Sequence, residues 1–175
     1  NLVLKGLKSS SSSTSASSVL TADYTLAMSC IRNATNERYA ERWEVCTQLG
    51  GGAASDIATD PTNALLKLIP YGGVAVLIND GSDGNGSNSI IPGMAYCFLP
   101  LPIETQLPVM VNGFFELSSN RRDVWQAGSD MTGEGRTRAE WNISLMKDVI
   151  APAYVRLLLR LKAALNFTPY FQSIF

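Results

Sequence analysis

The chain has 175 residues, 46% hydrophobic and 17% charged, with a net charge of −1. That length and balance suit one globular domain with its own core and exclude a disordered chain. Near-neutral charge argues against a protein held on nucleic acid by phosphate neutralisation, which needs a basic excess.

Leu2–Leu7 reads as a strand, and residues 9–18, all Ser except Thr14 and Ala16, read as a low-complexity linker. Tyr24–Arg32 and Arg42–Leu49 are the next strands, joined by a polar hairpin loop over Asn33–Glu41. GGGAASD at 50–56 reads as a flexible break. Asp60-Pro61 supplies an N-cap and a first-turn proline for a short helix through Leu66.

Tyr71–Ile78 (YGGVAVLI) predicts a buried strand. The loop at 79–89, NDGSDGNGSNS, contains DGNG but lacks the lysine of a phosphate loop and the spaced ligands of an EF-hand, so it reads as a solvated hairpin loop. Ala95–Leu99 and Pro108–Leu117 predict two strands, and Pro100, Pro102 and Pro108 confine the link between them to an edge or a loop. After Leu117, Ser118 or Ser119 can cap a helix whose first turn carries Asn120, Arg121, Arg122 and Asp123.

Two arginines in that position oppose the helix dipole unless an anion is present. Either Glu116 and Asp123 neutralise the pair on an ordinary surface, or the pair serves an anionic ligand. Residues 127–138 read as a loop, and Glu140 or Trp141 opens the longest helix. Its apolar residues Leu145, Met146, Val149, Ile150, Ala153, Tyr154, Leu157, Leu158, Leu161 and Leu165 recur at helical spacing as one wide face, with Pro152 expected to kink or break it. Arg156 and Arg160, one turn apart, mark a solvated edge of a core helix rather than a membrane-surface helix, and the charges along it rule out a membrane span. Strands first and helices after predict an α+β fold, a mostly antiparallel sheet covered on one face by the long C-terminal helix.

Three cysteines, Cys30, Cys46 and Cys97, cannot all pair within the chain, none stands in a CxxC, and the absence of histidine excludes a Cys/His zinc site. Reduced, buried cysteine is the expectation for each. Sequons occur at Asn33, Asn85, Asn142 and Asn166. No self-contained enzyme is visible, and the reading is of an intracellular protein. Both ends look like cuts in a longer polypeptide.

The run FLPLPIETQLPVMVNGFFELSSNRRDVW, followed by WNISLMKDVIAPAY, closely resembles the repeated region of the sacsin family. FLPLP, VNGFF, SSNRR and the two tryptophans keep their order within residues 93–160, while the serine tract at 9–18 departs from the family pattern. Each sacsin repeat resembles a heat-shock-90-type chaperone, an ATP-binding domain followed by a middle segment built as a two-layer sandwich. The resemblance therefore implies that residues 1–175 are one middle-type domain excised from a larger sacsin-like chain. It implies ATP and magnesium as cofactors held with the upstream ATP-binding domain, clients or co-chaperones as partners, and a cytoplasmic location. LSSNRR also resembles the chaperone segment in which an arginine reaches the ATP γ-phosphate. That role falls first on Arg121 and second on Arg122, with Ser119 and Asn120 beside the nucleotide. The alternative is a scaffold or client-binding domain, which Trp125 and Trp141 would serve if they stand outside the core.

Overall fold

The computed structural model describes residues 8–9, 18–32, 36–78, 92–126 and 132–164. Its frame is a long hairpin of β2 (Leu20–Arg32) and β3 (Glu37–Leu49), paired in unbroken antiparallel register from Leu20↔Leu49 to Arg32↔Glu37. Both strands run further than the sequence suggests, so the polar loop is shorter than expected. Asn36 takes the left-handed conformation (φ 56°) that asparagine tolerates there. β1 (Lys8–Ser9) adds antiparallel to the start of β2, and residues 10–17 of the serine tract lie outside the described residues, as do the strand expected at Leu2–Leu7 and the loop expected at 79–89.

β4 (Tyr71–Ile78) keeps the expected bounds and pairs antiparallel with β3. β5 (Met94–Cys97) turns through Phe98 into β6 (Leu99–Glu104), and β7 (Met110–Gly113) inserts between β4 and β5. The described strands form one sheet in the order β1-β2-β3-β4-β7-β5-β6, antiparallel throughout except for β5 with β7. The sheet is thus mixed. Pro100 and Pro102 fall on the edge strand β6, where a missing N–H breaks no ladder bond.

The GGGAASD stretch is not a break. It starts α1 (Gly52–Thr59), whose N-terminus is capped from far along the chain: the Ala54 N–H donates to Asp148 Oδ2 at 3.2 Å. Gly52 (φ 43°) must be glycine, because a Cβ there would lie 2.7 Å from the Asp148 carboxylate. Asp60 caps a 3-10 turn over Pro61–Leu66 as expected, accepting from the Thr62 N–H at 2.8 Å.

The long helix begins earlier than expected, at Gly133 rather than Glu140. It runs as α2 (Gly133–Leu145), a π turn (Met146–Ile150) and α3 (Ala151–Ala164). Of the expected loop, residues 127–131 lie outside the described residues, and the remainder is largely helix. Trp141, Leu145, Val149, Ala153 and Leu157 are all fully buried, with Leu161 close to it. A step of four residues overshoots a helical turn by about 40°, and the wider π turn absorbs part of that drift so one stripe stays on the sheet. Pro152 sits just after this turn. It cannot donate to the Asp148 carbonyl, which instead accepts from Gln48 Nε2 at 2.7 Å.

Arg156 and Arg160 are not a solvated edge. Arg156 bonds Gln48 Oε1 and the Thr47 carbonyl, both at 2.8 Å, and pairs with Asp23. Arg160 pairs with the buried Glu44 at 2.6 Å. The helix thus covers one face of the sheet by apolar contact and by ionic ties to β2 and β3. No helix among the described residues is long and apolar enough to cross a membrane.

Candidate functional site

The residues singled out by the sequence, Ser119, Asn120, Arg121 and Arg122, lie in a small hairpin turn between Leu117 and Val124, which form an isolated antiparallel bridge. They do not begin a helix, and the conflict between two arginines and a helix dipole does not arise. The serine and asparagine that read as a cap shape a turn instead, a use open to both residue types. The Ser118 N–H donates to the Asp123 carbonyl (2.9 Å), the Arg121 N–H to the Ser118 carbonyl (2.8 Å), and the Ser118 hydroxyl to Asn120 Oδ1 (2.7 Å). Asn120 Oδ1 also accepts from the Arg122 N–H at 2.9 Å. Arg121 stands in the left-handed region, φ 56°.

The stem is clamped to the helix by Asn142, which is buried. Its Nδ2 donates to the Glu116 carbonyl (2.8 Å) and the Trp125 carbonyl (2.9 Å), while its Oδ1 accepts from the Glu116 N–H (2.9 Å). This asparagine lies in a sequon, and burial with three hydrogen bonds removes it from glycan attachment. Trp125 Nε1 donates to the Leu117 carbonyl at 3.0 Å, and Trp141 Nε1 to the Phe114 carbonyl at 2.8 Å. Trp141 is therefore core and Trp125 half-buried stem, not a pair of exposed aromatics.

Glu116 does not neutralise the arginine pair. It bonds Arg138, which also bonds Glu134, one turn back on α2. These three line an open cleft of about 520 Å³ with Thr62, Asn63, Leu65, Leu66 and Thr137. Its guanidinium is already held by two carboxylates, so the cleft offers no free cation. The side chains of Arg121 and Arg122 are exposed and make no hydrogen bond or ion pair among the described residues. Chemically, the turn presents two uncommitted guanidinium groups from a rigid base, an arrangement suited to an anion brought from outside.

Nearby, Cys97 Sγ lies 3.5 Å from the Phe115 carbonyl, and burial holds this thiol above its ordinary value while the Arg121 charge pulls it down. Cys46 is fully buried, and desolvation with the charge of Asp23 pushes its thiol up to about 12. Neither is an activated nucleophile. Cys46 meets the expectation of a buried, reduced cysteine, whereas Cys30 and Cys97 are half-buried. Asn142 and Arg138 escaped sequence reasoning as residues that position the turn, and Glu116, expected beside the arginine pair, bonds Arg138 instead. The one sequence signal was the polar Asn142 beside Trp141 at the start of an apolar helical stripe.

No family model matches the chain, and no solved structure matches it. A curated relative, human sacsin, is 41% identical over 124 residues, covering 69% of this chain. The chain spans 2% of the length of that protein.

Proposed function

We propose that this chain, which belongs to the sacsin family, acts in the cytoplasm as the middle module of a chaperone ATPase. Arg121 reaches the γ-phosphate of ATP held by a preceding domain, and Arg122 stands second. The observation that carries this reading is Arg121 itself: a non-glycine residue at φ 56°, exposed, its guanidinium uncommitted. Left-handed backbone costs an L-residue roughly 1–2 kcal/mol, and such outliers concentrate at functional sites.

The chemistry fits a phosphate. A guanidinium keeps its charge and holds two oxygens at once through its planar fork. Bound ATP would supply the phosphoryl group, and this chain's part is to place a fixed positive charge where negative charge builds. Asn120 Oδ1 is committed to the turn, leaving its Nδ2 and the exposed Ser119 hydroxyl for contacts beside the nucleotide. Among the described residues no group of three or more Asp, Glu or Cys could hold a metal ion. The magnesium that accompanies ATP would therefore be held with the preceding domain.

The test is ATP hydrolysis by a longer polypeptide that includes the ATP-binding domain. Arg121→Ala is expected to lower turnover on the order of 10³-fold or more, as for arginines that stabilise phosphoryl transfer. Arg122→Ala is expected to cost less, because Arg121 holds the left-handed position in the turn. A second reading, a non-catalytic scaffold or client-binding domain, is favoured by one observation: Phe98 and Leu99 are each 63% exposed, and the Phe98 ring stands edge-on to Phe114 at 5.7 Å. If both arginine variants fold normally and hydrolyse ATP like the wild type, the scaffold reading replaces the first.

A further inference from the structure

The β2–β3 hairpin is inside-out with respect to the helix. Register places Cys46 between Asp23 and Val74, and Glu44 between Thr25 and Val76. These residues face the helix, and on β3 they include the buried Glu44 and Gln48. The alternate residues face away: Val45 between Tyr24 and Ala75, and Trp43 between Leu26 and Leu77. Along β3, burial alternates from Trp43 to Gln48, half-buried then buried, so among the described residues the more apolar side of this hairpin is the side left uncovered. A solvated sheet face shows the opposite pattern, polar residues outward. β4 agrees, with Val74 and Val76 toward the helix and Ala75 and Leu77 away from it, the signature of a strand covered on both faces.

We propose that this open face is the seat of a contact with a second copy of the chain, sheet against sheet across a two-fold axis. The composition fits a protein contact: aromatic side chains at its centre, with charge held back. Glu41, opposite Met28 toward the hairpin end, accepts from Trp43 Nε1 at 2.9 Å, so the indole's polar atom is satisfied within the face. A face of this kind carries no dominant sign and can meet its own copy without like-charge repulsion. Five strands about 4.8 Å apart, from 13 residues each in β2 and β3 through 8 in β4 to 4 each in β7 and β5, give on the order of 600 Å² before side-chain relief. That approaches the ~800 Å² each partner contributes to a stable interface. Two twisted sheets pack face to face at about 10 Å without any further element. The contact involves none of the turn residues 118–123, so it stands apart from the arginine reading.

The experiment is sedimentation of the 175-residue chain from about 1 μM to 1 mM, a range that brackets dissociation constants of that order. A reversible dimer is expected, and Val45→Glu should abolish it. Should Val45→Glu fail to fold by circular dichroism, Leu49→Lys on the same face, at a site already 38% exposed, provides the same disruption with less risk. A monomer at every concentration overturns the proposal, as does a dimer indifferent to whichever of these variants folds. A monomer whose Trp43, followed in a Trp125→Phe background, resists acrylamide quenching also overturns it, since the chain's own residues would then cover the face.

Discussion

Arg121 separates two local structures that its neighbours allow equally. A serine followed by Asn, Arg and Asp can cap a helix or close an Asx-type turn, because the same side-chain oxygens serve both. What decides is Asn142, which holds both sides of the stem from 17 to 26 residues away and so leaves no trace in the local sequence. The arginine pair was legible as an unusual charge placement, but its backbone was not. Comparing Arg121→Gly with Arg121→Ala tests the backbone through the sign of the difference. At φ 56°, glycine avoids the left-handed penalty, and the Gly variant is expected to be more stable than the Ala variant by about 1 kcal/mol. In a helix the order reverses by a similar amount, since glycine is there the poorer residue. Urea denaturation of the two variants gives the answer directly.

Among the elements, those that declare themselves locally were legible. Tyr71–Ile78 is apolar at almost every position, and Asp60-Pro61 carries its own cap. α1 was missed because its cap is Asp148, 94 residues distant. The start of α2 was missed because Gly133, Glu134 and Gly135 lack an apolar stripe, and its first turns are tied instead by Glu134–Arg138 and Arg136–Glu140 pairs one turn apart. Pro152 is expected to kink or break the helix, yet the helix continues because Gln48 supplies the donor that proline lacks. Gln48 is buried, donates also to the Gly50 carbonyl (2.9 Å), and accepts from Arg156 (2.8 Å). Gln48→Leu is expected to cost roughly 2–4 kcal/mol, because several buried polar groups lose their partner together. Adding Pro152→Ala returns an N–H to the Asp148 carbonyl. The double variant should therefore recover about 1 kcal/mol beyond additivity. Strict additivity in chemical denaturation would mean that the glutamine does not stand in for the missing backbone donor.

Across the whole molecule, the α+β architecture with a helix on one face was legible from the order of strands and helices. The orientation of the β2–β3 hairpin was not. Period-two alternation shows that one side is more apolar without showing which side meets the helix. Here Asp23, Glu44 and Gln48 face the helix because Arg156 and Arg160 meet them, an exchange of ionic ties for apolar contact. Those ties join residues 108 to 133 positions apart, and Asn142 joins the arginine turn to the same helix. Unfolding should accordingly be one cooperative event rather than loss of the turn followed by the sheet. The three tryptophans report on three places: Trp43 on the open sheet face, Trp125 on the stem of the turn, Trp141 in the core. Variants retaining each indole singly, with the others changed to Phe, are each expected to show the same urea midpoint by fluorescence as by far-ultraviolet circular dichroism. Their absolute stabilities will differ, since Trp141→Phe leaves the Phe114 carbonyl without its donor and removes buried volume, so each comparison is made within one variant. A Trp125 transition that precedes the loss of helix and strand signal would show that the arginine turn opens by itself, and its guanidinium groups would then not be held from a rigid base.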